Sequence, residues 1–267
     1  MDARDLVDQL ARLRRFDLAQ SWRAGMPRYP THQPYMYTLT KLHGDSVREG
    51  GASSASDAIA LGTHVGTHID ALCHYSRDGR VYGGAEVAGL QEWTRGIARH
   101  GVETIGLVMR RGVLLDVAKL LDSAEGVVLP EDAEIDGATL ARAEEAAGER
   151  VKKDDVVLVR TGWGRYWSEP ARFVNGMKLP GVTLDGARWL SERGVFAAGS
   201  DTVAFERTPS ASMEVHVHLL VECGIHIIEC LQLEELSAAG IGEFLVVATP
   251  LKLDGATASP LRPFALA

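Results

Sequence analysis

Apolar positions along the chain fall into short runs separated by longer stretches of helical spacing. Residues 112–116, 156–160, 195–198, 225–229 and 244–248 are compact runs rich in Val, Ile, Leu and Phe, which predict buried strands. A β-branched and aromatic segment over 35–41 predicts another strand. Spacings of three and four over 137–149, 184–193 and 210–223 predict helices, and a further surface or interface helix fits the first ~14 residues. Strands alternating with helices predict an α/β architecture. Residues 163–182, with Trp163, Tyr166, Trp167, Gly176, Pro180 and Gly181, read as a long loop of the kind that lines sites. No stretch has the composition of a linker, so residues 1–267 are expected to form one domain.

One segment departs from this pattern. His64-Val-Gly-Thr-His68-Ile-Asp70-Ala-Leu-Cys-His74 places three of the chain's nine histidines and an aspartate on alternate positions within eleven residues. Alternation suggests a strand with one functional face, but a straight strand would hold His64 and His68 roughly 13 Å apart. Two imidazoles sharing one cation at about 2 Å cannot span that distance. The segment must therefore turn, and Gly66 is the residue that permits it. Histidine and carboxylate donors suit Zn, Mn or Fe, and a set of two histidines and one aspartate leaves coordination positions for water.

Two further candidates lie downstream. In the helix expected over 210–223, His216 shares a face with Met213, Leu219 and Leu220 and points inward. His218, four residues from Glu214 and Glu222, falls on the solvated face. Glu229 alternates with Ile225 and Ile227, and a carboxylate in such a strand is costly unless it is paired or ligates a cation. Asp201, after a short strand, reads as a turn-former or helix cap. Trp22, Tyr29 and Trp163 are candidates for an apolar wall beside a flat substrate, or for plain core packing.

Composition narrows the classes. A formal net charge of −8 and the lack of a basic stripe argue against nucleic acid as a partner. No apolar run approaches the ~20 residues needed to cross a bilayer, and the acidic start does not fit a secretory leader, so a cytoplasmic protein is expected. Cys73, Cys223 and Cys230 form neither a disulfide framework nor a zinc ribbon. Cys223 and Cys230 are expected to be buried and inert, whereas Cys73, inside the histidine cluster, is also a conceivable nucleophile that lacks a specifically paired base.

The histidine segment resembles the hallmark His-x-Gly-Thr-His-x-Asp-x-Pro-x-His of the cyclase family of metal-dependent hydrolases, which includes kynurenine formamidase and isatin hydrolase. His64, Gly66, Thr67, His68, Asp70 and His74 match position by position, and Leu72 replaces the proline. The likeness continues through Asp17-Leu18 and Met26-Pro27, then 111–116, 155–163, 199–202 and the stretch from His216 to Glu229. That last spacing is one residue longer than in the short formamidases, and Cys230 replaces an asparagine.

The resemblance implies a swivelling β/β/α fold with a mixed sheet and flanking helices, and a homodimer or homotetramer. It implies Zn or Mn held by His64, His68 and Asp70. It also implies either a second ion held by Asp70, His74, His216 and Glu229 or, with one ion, a His74 that acts on water. The expected activity is cleavage of an amide C–N bond in an aryl formamide or cyclic amide, with His74, His216 and Glu229 as the catalytic set. Lactone or ester hydrolysis at the same site, and metal binding without catalysis, are the alternatives.

Overall fold

In a computed structural model describing residues 2–121 and 128–267, nine strands form one mixed, curled sheet with flanking helices. In chain order they are β1 (Arg15–Asp17), β2 (His68–Asp70), β3 (Val108–Asp116), β4 (Val156–Arg160), β5 (Ala197–Ser200), β6 (His226–Glu229), β7 (Glu243–Ala248), β8 (Ala258–Pro260) and β9 (Phe264–Leu266). Across the sheet they run β1-β9-β7-β3-β4-β5-β6-β2-β8. The four central strands, β3 to β6, are parallel, and every other pairing is antiparallel.

The near-continuous apolar runs have the physical cause expected of parallel strands, burial on both faces. Val113, Leu115, Val157, Val159, Ala198 and Ile227 enter one core, which the helices Gly137–Ala147 and Leu184–Glu192 cover with Leu140, Ala143, Ala187 and Leu190. Their neighbours in sequence, Leu114, Val156, Leu158, Ala197 and Ile228, enter a second core with Phe16, Phe244, Val246 and Ala265. Asp136 and Thr183 cap the two helices by accepting the backbone N–H groups of Thr139 and Gly186.

Several expected elements take a different form. The stretch 163–182 is not a long loop: it folds into 3-10 turns at Trp163–Ser168 and Asn175–Met177 around a short helix, Pro170–Val174, and ends in Gly181–Val182. Burial of Trp163, Trp167 and Phe173 drives the chain into these turns. The helix expected from residue 210 starts at Glu214 and widens to π geometry over Val217–Cys223. The N-terminal helix, Ala3–Arg12, is present and buries no residue. No helix among the described residues is long and apolar enough to cross a membrane.

Candidate metal centre and active site

Strand β2 carries His68 and Asp70 on one face and Ile69 on the other, where Ile69 is wholly buried in the second core. Its register with β6 sets Glu229 opposite His68 and Ile228 opposite Ile69. The apolar pair therefore anchors the strands, and the polar face gathers His68, Asp70 and Glu229. Before β2 the chain turns at Gly66, whose φ of 73° lies in the left-handed region. A Cβ there would sit 2.4 Å from Nε1 of Trp22, so both the turn and the packing require glycine. The turn folds His64 back until its ring centroid is 5.3 Å from that of His68 and 3.9 Å from that of His74.

Hydrogen bonds fix how these rings face. Nδ1–H of His68 donates to the Gly66 carbonyl at 2.7 Å, which leaves Nε2 as a lone pair 3.5 Å from Oδ1 of Asp70 and 3.4 Å from Oε2 of Glu229. Nε2 of His64 meets the Thr257 hydroxyl at 2.9 Å, and its Nδ1 lies 2.8 Å from Oδ1 of Asp70. That contact has the length of a hydrogen bond but not its direction. Both Asp70 oxygens and His68 Nε2 are consequently buried without a hydrogen-bond partner among the described residues. Buried donors and acceptors are nearly always satisfied, so three orphaned ligand-type atoms converging on one point fit a cation.

Donor atoms within 4.8 Å of one another fall into two sets that share Asp70: His64, Asp70 and His74, and His68, Asp70 and Glu229. His216 stands beside them rather than within either set. Its Nδ1 is 2.6 Å from Oε2 of Glu206 and its Nε2 is 3.2 Å from Oε1 of Glu229. Glu206 also accepts the backbone N–H of His216 at 3.0 Å, and Glu229 accepts that of Phe205 at 2.7 Å. All six residues singled out from the sequence thus meet in one cluster.

The electrostatics follow from burial. For Asp70, burial opposes ionisation, yet His74, His64 and His68 hold its carboxyl well below the usual range. Burial also works against Glu229, but bonds from His216 and His68 bring it down to about 2. Burial, reinforced by His64 and His216, lowers His74 to about 3, so its ring is neutral. In His68, burial favours the neutral ring and is outweighed by Glu229 and Asp70, so the net direction is upward. The same contest in His216, with Glu206 and Glu229 opposing burial, ends with the group raised to about 10.

Residues that sequence reasoning missed complete the shell. Glu206, only 2% exposed, carries no local pattern that marks it, and Thr257 arrives from a loop nearly two hundred residues away. Tyr75 packs its ring 5.1 Å from that of His216. Nδ1 of His226 bonds the Asp70 carbonyl at 2.9 Å, and His32 bonds the His64 carbonyl at 3.2 Å. Asp201 organises a turn, as expected, but one in a different segment of the chain rather than its own. It is fully buried and accepts N–H and O–H of Thr161 and N–H of Gly162 at 2.6–2.8 Å, fixing the turn that leads into Trp163. Cys73 and Cys230 are buried and Cys223 is half-buried; burial pushes the Cys73 thiol up to about 12, which removes it as a nucleophile at neutral pH.

The model of the family described as "Putative cyclase" matches residues 16–207. The chain belongs to the cyclase family. The match contains the 64–74 segment and Glu206 but ends before His216 and Glu229. Over 248 residues the chain is 25% identical to a kynurenine formamidase of Geobacillus thermodenitrificans, covering 92% of this chain and 94% of that one. It is 26% identical over 216 residues to an isatin hydrolase of Roseibium aggregatum, covering 78% and 73%. These relatives are amidohydrolases of the cyclase family. A crystal structure described as a novel cyclase superposes with a TM-score of 0.87 at 28% identity, covering all of this chain and 94% of that one.

Proposed function

We propose that this cyclase-family chain hydrolyses an amide C–N bond, in an aryl formamide or a cyclic amide, with the help of one or two divalent cations, Zn or Mn. The observation that carries the reading is the set of buried, unpartnered atoms around Asp70. His64, His68 and Asp70 would hold the first cation, with Glu229 and His74 completing the donor sets on either side of Asp70. A cation there supplies charge that polarises the scissile carbonyl and acidifies a water.

The chain's own groups then have distinct tasks. With a single cation bound, His74, whose ring burial keeps neutral, would accept a proton from the attacking water and return one to the departing nitrogen; with two, it would instead be a ligand of the second. Glu229 is held in place by Phe205 N–H and His216, so its second oxygen faces His68 and Asp70. Glu206 grips His216 at two points and keeps its Nε2 directed at Glu229. Trp22 and Tyr29 belong to the aromatic cluster beside the Gly66 turn and would offer a flat wall to an aryl ring. The expected partner is a small molecule, in a homodimer or homotetramer in the cytoplasm.

Chelator-treated protein tested on aryl formamides, cyclic amides and lactones, before and after adding Zn or Mn, examines the reading. Amide hydrolysis that vanishes with chelator and returns with metal is expected. Hydrolysis of lactones alone would move the activity to the ester class. Turnover of nothing by the metal-loaded protein would leave a binding protein.

A further inference from the structure

His32 stands at a seam between two unlike surfaces. On one side its ring centroid is 5.2 Å from that of His64, the edge of the Asp70 cluster. On the other it is 5.3 Å from Tyr29, the edge of the aromatic group in which Trp22 meets Tyr35 edge-on and packs against Gly66. Nδ1 of His32 lies 3.2 Å from the carbonyl oxygen of His64. A carbonyl can only accept, so Nδ1 carries the hydrogen and Nε2 presents a lone pair. No group among the described residues bonds that nitrogen.

An aryl amide has the same order of parts as this surface: ring, nitrogen, carbonyl. With its ring against the aromatic group and its carbonyl toward Asp70, the nitrogen between them passes His32. We propose that Nε2 of His32 accepts the N–H of the scissile amide and makes the enzyme selective for amides with a hydrogen on that nitrogen. This inference rests on the reading of the chain as an amide hydrolase. An N-alkyl amide offers His32 no donor, and an ester oxygen sets a lone pair against a lone pair. Either leaves the half-buried Nε2 without a donor once the substrate covers it, which is how sites reject close analogues.

The test compares formanilide, N-methylformanilide and phenyl formate on metal-loaded wild type, His32→Phe and His32→Gln. Phenylalanine keeps a ring between Tyr29 and His64 without the acceptor, whereas glutamine keeps an acceptor oxygen. His32→Phe is expected to lose about 10- to 100-fold in kcat/KM on formanilide and to lose nothing, or gain, on the other two. His32→Gln should recover part of the loss, with bound metal equal in all three proteins. Tryptophan-fluorescence titration of metal-free protein with formanilide and N-methylformanilide reads the same preference without turnover. A formanilide-to-N-methylformanilide ratio unchanged by His32→Phe, in rate and in binding, would overturn the role of His32 while leaving amide hydrolysis intact. Loss of all amide turnover in the wild type, with the binding preference kept, would instead overturn the assigned reaction.

Discussion

Single residues do separable jobs in this site. His74 lies next to Asp70 but has two other histidines to carry donor duty with it, so its loss should affect chemistry more than metal binding. For His74→Ala, we expect metal to be retained and kcat to fall about 100-fold or more, measured by metal analysis and steady-state kinetics. Unchanged kcat would remove it from proton transfer. Gly66 does a different job. Its left-handed backbone and its contact with the Trp22 indole both exclude a side chain. Gly66→Ala should destabilise the fold by about 1–3 kcal/mol in denaturant unfolding and weaken metal binding, because the turn that joins His64 to His68 opens.

The elements explain what could be read from the sequence and what could not. The 64–74 segment was legible because its chemistry is local: one turn and one three-residue strand bring four donors together. Glu229 was legible by contradiction, as a charge in an apolar strand. Glu206, Thr257 and His32 were not, since each reaches the site from a segment whose position depends on sheet order and not on spacing. The misread stretch 163–182 has the same cause. Glycines and prolines mark turns in sequence, but only burial of Trp163, Trp167 and Phe173 makes those turns helical. At the other extreme, the helix Ala3–Arg12 was visible in its spacing and is closed by a capping box at Asp2, yet buries nothing. A ten-residue helix that buries no side chain is too short to be stable alone, so Asp2→Ala should fray it and shift the global unfolding midpoint by less than about 0.5 kcal/mol equivalent, as circular dichroism during denaturation would record.

At the scale of the whole molecule, the buried charges make stability depend on pH in the metal-free chain. Glu229, held at about 2, stabilises the fold fully above about 4.5, and that contribution is lost as pH falls through 2. His74, at about 3, adds to the acid loss, because below about 6.5 the unfolded chain takes a proton there that the folded chain refuses. His216 acts in the opposite sense. Raised to about 10, it stabilises fully below about 6.5, and the contribution disappears as pH rises through 10. The Tm of metal-free protein should therefore peak between about pH 5 and 7, and Glu206→Gln should flatten the alkaline side by removing one of the two carboxylates facing His216. The shared ligand groups bind a cation only in their deprotonated form, so metal affinity should weaken as pH falls.

The account depends most on the orphaned oxygens of Asp70, which both donor sets share. The direct test titrates Zn or Mn into chelator-treated wild type and Asp70→Asn, recording bound metal per chain and the rate of formanilide hydrolysis at each step. The rate is expected to rise with bound metal in the wild type and to saturate at one or two ions per chain, while Asp70→Asn binds weakly and stays inactive. Tight binding and full activity in Asp70→Asn, or hydrolysis by wild type that is indifferent to the metal bound, would contradict it.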